Sequence, residues 1–401
     1  MKAVFMGLGY IGLPSAAVAA SRGIDAVGVD INPAVVETIN QGKIHIVEPE
    51  LDRVVREVVE KKKLRAALQP EEADVFLIVV PTPFKQNHRA DITYVRSATK
   101  AVIPFLKEGN LFIIESTSPV MTTEKIAEFI FKERPELQGK IYIAYCPERV
   151  LPGNVIYELE HNDRVIGGIN PESSDKAVEF YATFVKGAMH KTNARTAEMC
   201  KLTENSSRDV QIAFANELSM ICKKAGINVW ELIGLANKHP RVNILQPGCG
   251  VGGHCIAVDP WFIVSDYPEQ ANIIKRARET NDYKADWCAN EVLSACHEFE
   301  EKHEREPVVA CMGLAFKPDI DDLRESPAKY IASRIISEAR ADVLIVEPNI
   351  ENHKSFNLIH YDEAYRQADI IVWLVRHKEF LFLTEKYPPK IELDFCGVRR
   401  I

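Results

Sequence analysis

No stretch of this 401-residue sequence approaches the ~20 consecutive apolar residues that a membrane span requires. It has no dense run of Lys or Arg, and Asp and Glu outnumber Lys and Arg by 57 to 49, for a formal net charge of −8. The first absence argues against a membrane partner and the second against a nucleic-acid partner. Nine cysteines are scattered at positions 146, 200, 222, 249, 255, 288, 296, 311 and 396, with no C-x-x-C pair. That spacing suits neither a zinc site nor a disulfide framework, so no metal is expected and the thiols read mainly as small core hydrophobes. There is no repeat of solenoid period and no low-complexity tract. Met1–Phe5 runs straight into a glycine-rich turn, without the length or cleavage pattern of a signal peptide, so the expected address is the cytoplasm.

What is present is a repeating alternation of short apolar runs and helical periods. Strands are expected at Lys2–Met6, Ala26–Val29, Val75–Val80, Leu111–Glu115, Ile141–Tyr145 and Arg164–Gly168. Helices lie between them, for example at Ala34–Gln41 and Leu51–Glu60. This rhythm predicts a doubly wound α/β domain on a parallel sheet over residues 1–190. From Arg195 to Ala225 there is no Pro or Gly, which predicts one long connecting helix. More helix is expected at Val229–Asn237 and within Pro268–Glu298, giving a central helical region over 191–302. Glu300–Glu306 reads as a linker or helix end. Strands at Val308–Met312, Val343–Val346 and Ile370–Val375, with a helix at Pro327–Ala339, predict a second Rossmann-like α/β domain over 303–401.

The turn Gly7-Leu8-Gly9-Tyr10-Ile11-Gly12 joins the first strand to a helix. Its first glycine permits the tight turn, its second lets the backbone approach a pyrophosphate, and its third lets helix pack on strand. The helix N-terminus then offers N–H groups to phosphate. Asp30 ends the next strand, 18 residues after Gly12. A carboxylate there accepts from ribose hydroxyls and repels a 2′-phosphate, which selects NAD over NADP. Val80-Pro81-Thr82-Pro83 and Glu115-Ser116-Thr117-Ser118-Pro119 place hydroxyls at two further strand ends, where they suit either a ligand or a helix cap.

Pro247-Gly248-Cys249-Gly250-Val251-Gly252-Gly253-His254-Cys255 is dense in glycine and ends on a thiol. Such a loop brings backbone close to a ligand, a cysteine at its edge reaches a substrate, and nearby N–H groups stabilise an oxyanion. Asp259, four residues on, shares a face with Cys255 if the stretch is helical. Lys201, Asn205 and Arg208 stand at i, i+4 and i+7 of the long helix, a spacing that fits either a polar site or a solvated face. Glu148 and Arg149 follow a strand, and His239 and Arg241 precede the glycine loop. Lys317 and Arg324 follow the first strand of the last domain, where a diphosphate and ordinary surface ion pairing are both suitable partners.

Taken in order, G-L-G-Y-I-G-L-P, G-V-D, V-P-T-P, E-S-T-S-P, K-L-T-E-N, G-V-G-G-H-C and F-K-P-D-I-D-D-L-R-E-S-P resemble the UDP-glucose/GDP-mannose dehydrogenases over nearly the whole chain. Further segments are most similar to the branch that oxidises UDP-N-acetyl-D-mannosamine: H-I-V-E-P-E-L at 45–51, C-P-E-R-V-L-P-G at 146–153, N-D-R-V-I-G-G at 162–168, E-M-C-K-L-T-E-N at 198–205, H-P-R-V-N-I-L-Q-P-G at 239–248 and H-C-I-A-V-D-P-W-F at 254–262. The resemblance implies an N-terminal NAD domain, a central helical region that forms a homodimer, and a C-terminal domain for the UDP-sugar. It also implies two NAD-linked oxidations of a sugar C6 alcohol to a carboxylate through a thioester, with Cys255 as nucleophile. Lys201 and Asn205 would hold oxyanion and water, and Asp259 and Glu148 would assist proton movement. Gly7, Gly9, Tyr10, Ile11, Gly12, Asp30, Thr82, Thr117 and Arg324 would contact NAD. Arg149, Val150, Lys201, Asn205, Arg208, His239, Arg241, Gly250 and Lys317 would contact the UDP-sugar. The alternatives with the same chemistry are UDP-glucose and UDP-N-acetylglucosamine. Two departures stand out: Cys249 replaces a proline common in the family's glycine loop, and Asp394-Phe395-Cys396-Gly397 replaces a more usual D-x-R-G.

Overall fold

A computed structural model describes residues 1–85, 88–150, 153–383, 387 and 390–399. Leu151 and Pro152, part of the segment 146–153, lie outside the described residues. The chain forms two compact units, Met1–Glu204 and Asn205–Ile401.

The first unit follows the order β1 (Lys2–Met6), α1 (Gly12–Ser21), β2 (Asp25–Val29), α2 (Pro33–Asn40), α3 (Leu51–Glu60), β3 (Leu64–Ala67), β4 (Val75–Ile78), α4 (Thr93–Val102) and β5 (Leu111–Ile114). It continues with α5 (Thr122–Glu133), β6 (Tyr142–Tyr145), α6 (Val155–His161), β7 (Arg164–Gly168), α7 (Pro171–Tyr181) and β8 (Met189–Asn193). These strands make one sheet in the order β3-β2-β1-β4-β5-β6-β7-β8. Both faces are covered, which is why its strands read as continuous apolar runs. Ala3 and Phe5 of β1 pack into a core with α1 and α3, while Val4 and Met6 pack into a second core with α4 and α5.

The sheet departs from the expected all-parallel form at one junction. β7 runs antiparallel to β6, with Ala144 opposite Gly168, and β8 then runs parallel to β7. Among the described residues, the link from β6 contains only the short helix α6, and β7 starts from the same sheet edge at which β6 ends. Three short strands were also not expected from the sequence. β3 and β8 are edge strands with polar or exposed faces, and the last strand of the second unit, Ile391–Asp394, alternates weakly. None shows the apolar run that marks the central strands.

α8 (Ala194–Ala225) is the long helix, and its second part belongs to the second unit with α9 (Val229–Ala236), α10 (Asp259–Asp266) and α11 (Asn272–His303). α11 continues through Glu300–His303, so that charged stretch is the last helical turn. It carries Lys302 and His303 where the helix dipole favours cations. Then come β9 (Val308–Met312), α12 (Pro327–Glu338), β10 (Asp342–Val346), α13 (Tyr361–Gln367), β11 (Ile370–Trp373) and β12 (Ile391–Asp394), whose strands form a parallel sheet ordered β10-β9-β11-β12. Three helices open on a polar cap followed by proline at the first helical position: Asn32-Pro33, Asn170-Pro171 and Ser326-Pro327. Among the described residues, no helix is long and apolar enough to cross a membrane.

Candidate active site

In the first unit the turn after β1 is built around its glycines. Gly7 has φ +103°, and a Cβ there would lie 2.4 Å from the Val79 carbonyl oxygen. A Cβ on Gly12 would lie 1.9 Å from the Gly7 carbonyl oxygen, so α1 starts against the turn itself. Gly9 differs: among the described residues, no heavy atom beyond Gly9 itself and its two chain neighbours lies within 4 Å of its Cβ position. The space that protein packing leaves there suits a dinucleotide pyrophosphate beside the N-terminus of α1. Tyr10 is exposed beside it and Ile11 is the N-cap residue. Asp30 accepts the Leu8 N–H at 3.1 Å through one oxygen and the Asn32 N–H at 2.9 Å through the other, which fixes its carboxylate at the mouth of the turn.

The strand-end hydroxyls divide into two sets. Ser116 ties two strand ends together, accepting the Val80 N–H at 2.9 Å and donating to the Val80 carbonyl at 2.7 Å, and Ser118 donates to the Ser116 carbonyl. Thr82 and Thr117 are half-buried, and neither hydroxyl has a hydrogen-bond partner among the described residues. The serines are structural, and the two threonine hydroxyls are not used by the fold among the described residues.

Beyond β6, Glu148 is buried and paired with buried Arg164 at 2.7 Å, and its other oxygen accepts the Arg149 N–H at 2.6 Å. Arg149 itself pairs with Glu204 at 2.8 Å, and Val150 packs on the core beside α1. Behind Glu148 sit Glu115 and Tyr181, joined by a 2.6 Å hydrogen bond. Burial, opposed by the Arg164 charge and reinforced by Glu148, pushes the Glu115 carboxyl up to about 7. Sequence reasoning missed this cluster, although an Arg opening the strand-like stretch Arg164–Gly168 is the signal for it: a buried guanidinium needs a carboxylate. Glu198, on the first part of α8, was also missed. It accepts the backbone N–H groups of Met121 and Thr123 at 2.6 and 2.7 Å and the Thr123 hydroxyl at 2.6 Å, and so holds the segment that follows Thr117. Burial raises its carboxyl to about 7 against these donors. Lys201 is half-buried on the same helix, with no hydrogen-bond or ion-pair partner for its Nζ among the described residues.

In the second unit Cys255 is exposed, whereas the other eight cysteines are buried or half-buried. Its carbonyl accepts the N–H groups of Val258 and Asp259 at 3.1 and 2.8 Å. Cys255 therefore opens a helical turn that leads into α10, and Asp259 is the first residue of that helix. The Asp259 carboxylate is buried and accepts from the Asn205 Nδ2 at 2.5 Å. The structure thus brings Cys255, Asp259 and Asn205 together.

The glycine loop has a different reason from the expected one. A Cβ on Gly252 would lie 2.5 Å from the Glu325 carbonyl oxygen and 2.7 Å from the Phe316 Cβ. Gly253 has φ +81° and packs on the Phe316 ring, and Gly250 has φ +135° and packs on Asn281 and Pro327. The glycines allow close approach of the Phe316–Pro327 segment, and the Gly253 N–H donates to the Arg324 carbonyl at 3.0 Å. Arg324 pairs with Asp322 at 2.5 Å. Arg208, His239, Arg241 and Lys317 are exposed, and His239 Nδ1 accepts the Arg241 N–H at 3.3 Å. Cys249 is a core thiol: it packs with Cys288, its Sγ donates to the Leu374 carbonyl at 3.3 Å, and its surroundings push its ionisation well up.

The first strand of this unit repeats the cofactor turn in outline. Gly313 has φ +100° and donates to the Val346 carbonyl at 2.9 Å, as Gly7 donates to Val29 at 2.7 Å. Glu347 takes the place of Asp30, accepting the Leu314 and Ala315 N–H groups at 2.8 and 2.9 Å. It is buried and paired with buried His377 at 3.1 Å. Its carboxylate thus fixes the turn that leads to Lys317.

Domain profiles of the UDP-glucose/GDP-mannose dehydrogenase family match this chain in sequence order: the NAD binding domain over residues 1–185, the central domain over 195–283 and the UDP binding domain over 310–398. The chain belongs to this family. It is an NAD-dependent oxidoreductase of the nucleotide-sugar class. It is 56% identical to the UDP-N-acetyl-D-mannosamine dehydrogenase of Escherichia coli (strain K12) over 391 residues, covering 94% of this chain and 93% of that one. It is 52% identical to the NDP-N-acetyl-D-galactosaminuronic acid dehydrogenase of Ralstonia nicotianae over 406 residues, covering 98% and 95%. The UDP-D-ManNAc dehydrogenase structure from Pyrococcus horikoshii superimposes with a TM-score of 0.89 at 38% identity, covering 99% of this chain and 96% of that one.

Proposed function

We propose that this dehydrogenase oxidises C6 of UDP-N-acetyl-D-mannosamine by four electrons to UDP-N-acetyl-D-mannosaminuronate, reducing two NAD, through a thioester on Cys255. The observation that carries the mechanism is the exposed Cys255 thiol at the start of a helical turn, beside the Asn205–Asp259 pair. The choice of sugar is supported by the relatives from Escherichia coli and Pyrococcus horikoshii.

NAD, seated at Gly9 and Asp30, supplies the hydride acceptor for each oxidation. The Lys201 amine, in its neutral form or through a held water, takes the C6 hydroxyl proton as the alcohol becomes an aldehyde. The Cys255 thiolate then adds to the aldehyde carbon. This step is needed because an unhydrated aldehyde has no C–H ready to leave as hydride, and the tetrahedral adduct restores one. Asn205 has a second amide hydrogen beyond the one given to Asp259, and with Lys201 it stabilises the oxyanion. Loss of the second hydride gives the thioester. Water cleaves it to the carboxylate and returns the thiol, with Asp259 accepting a proton. Glu148 assists proton movement with Asp259, and its pairing with Arg164 holds Arg149 and Val150 in place for the nucleotide sugar. Thr82, Thr117 and Arg324 complete the NAD contacts, and Arg208, His239, Arg241, Gly250 and Lys317 those of the UDP-sugar.

The chain works as a homodimer in this reading, located in the cytoplasm. Phe214 and Ile221, seven residues apart on α8, are 53% and 55% exposed, a stripe that a second copy would cover. The deciding experiment counts NADH released per sugar consumed, comparing UDP-N-acetyl-D-mannosamine with UDP-glucose, UDP-N-acetylglucosamine and UDP-N-acetylgalactosamine. Two NADH per sugar, with at least tenfold higher kcat/KM for the mannosamine, is the expected result. One NADH per sugar overturns the mechanism, and a different preferred sugar overturns the substrate.

A further inference from the structure

Within the second unit a cavity of about 350 Å3 opens between the end of α8, the start of α9, α11 and β12. None of Cys255, Asn205 and Asp259 lines it. Its wall is aromatic, with Trp230, Trp287 and Phe395, and the last two meet edge to face at 5.9 Å.

The charges around the cavity are unequal in what they have left to offer. Glu392 and Asp394 both line it. Glu392 already accepts from the Tyr365 hydroxyl, the Trp373 indole and the Arg399 guanidinium at 2.9, 2.9 and 2.6 Å. Asp394 accepts the backbone N–H groups of Cys396, Gly397 and Arg399 at 3.0, 2.7 and 2.6 Å. Both carboxylates are therefore satisfied within the fold. Lys284 is not: it is 1% exposed, and its ammonium donates to the Ser219 hydroxyl at 2.7 Å and stands 3.9 Å over the Trp287 ring. No carboxylate lies within 4 Å of it among the described residues. Burial lowers its pKa from the usual lysine value. A buried cation is ordinarily paired with an anion, and here the fold supplies a hydroxyl, a ring face and an open volume instead. Lys223, mostly exposed, adds a second cation to the lining, with Glu291 3.9 Å away.

We propose that this cavity is an accessory site for a small organic anion, its carboxylate or phosphate seated on Lys284 and its flat apolar body against the Trp230, Trp287 and Phe395 wall. The volume suits a ligand of one ring with an acidic group. Pro247 also lines the cavity and begins the glycine loop, so an occupant touches the segment that leads to Cys255.

The test is calorimetric titration of the full chain, saturated with NAD, with benzoate and with phenyl phosphate. Benzyl alcohol serves as the uncharged ring and inorganic phosphate as the anion without a ring. Saturable binding of at least one aromatic anion is expected, at least tenfold tighter than either control, and the tighter of the two identifies the acid group. Lys284→Gln is expected to weaken it at least tenfold. Lys223→Gln, at an exposed position that does not endanger folding, is expected to weaken it two- to fivefold. The proposal is overturned if neither anion binds saturably to the wild type, if benzyl alcohol binds as tightly, or if Lys284→Gln folds and binds unchanged. Should Lys284→Gln not fold, unchanged binding in Lys223→Gln also overturns it.

Discussion

The side chain of Asn216, fully buried on α8, accepts the backbone N–H of Gly248 at 2.9 Å and donates to the Asn281 side chain at 2.8 Å. Asn281 in turn donates to the Asp209 carboxylate at 2.8 Å, and Asp209 pairs with buried Arg278 at 2.6 Å. The segment that carries Cys255 is thus tied at its start to two long helices by a polar chain with almost no access to water.

Asn216→Leu breaks that chain without leaving a large void. It strands the half-buried Gly248 N–H and one face of buried Asn281, and an unpaired buried group costs about 1–3 kcal/mol. The expected outcome is a urea midpoint lowered by that order and a kcat reduced at least tenfold, with the Kd for NAD within twofold of wild type. An unchanged kcat would show that the loop keeps its place without Asn216.

Cys255→Ser should make no acid from the sugar alcohol while still binding NAD and UDP-sugar. Labelling provides a second check. A thiol reagent under native conditions should modify one cysteine quickly, and peptide mapping should locate it at Cys255. Burial holds Cys311 and Cys146 in the unreactive thiol form, and the hydrogen bond with Cys288, reinforced by burial, does so for Cys249. Equal labelling of Cys249 would contradict its burial.

Glycine replacements separate packing from ligand approach. Gly252→Ala puts a methyl 2.5 Å from the Glu325 carbonyl oxygen and should destabilise the chain and impair turnover together. Gly9→Ala adds a methyl that meets no heavy atom of the described residues within 4 Å beyond its own residue and its two chain neighbours. Its melting temperature should stay within about two degrees of wild type, a shift small on the scale of a 1 kcal/mol change, while the KM for NAD rises at least tenfold. An unchanged KM would remove Gly9 from the cofactor cradle.

Glu115 contributes a pH dependence whose sign follows from its raised pKa. Its folded value, about 7, lies above the ordinary carboxylate value of 4.5 because it is desolvated. Between those two pH values the folded state keeps a proton that the unfolded state has released. The stability contribution is therefore full below about pH 4.5 and is lost as pH rises to about 7. Glu115→Gln keeps a partner for Tyr181 and removes the titration. The stability of wild type relative to this variant should fall by up to about 1.4 kcal/mol per pH unit across the window, read from urea melts at several pH values. A flat difference would mean that Glu115 is ionised throughout.

Phe214→Glu places a charge on the exposed α8 stripe. Light scattering should show the wild type at twice the chain mass and the variant at the chain mass. A wild type that is already monomeric would dispose of the dimer.

Much of this was legible in the sequence because it depends on local pattern. Gly7-Leu8-Gly9-Tyr10-Ile11-Gly12 with Asp30 dictates a turn, a helix N-terminus and a carboxylate at fixed spacing, whatever surrounds them. The unbroken stretch 195–225 dictates a helix, and the ordered motifs dictate the family. What the tertiary structure decided concerns partners distant along the chain. Periodicity cannot reveal that Asn216 meets Gly248, that Glu148 is bound to Arg164, or that Glu198 holds the segment after Thr117, because those pairings depend on which helix packs where. Nor could spacing distinguish Cys255 from Cys249. Both lie in one glycine-rich loop, but the fold turns Cys249 into the core beside Cys288 and leaves Cys255 at the open start of a helical turn. Sequence set the residue types and their local geometry; burial, a property of the whole fold, decided which thiol remained exposed.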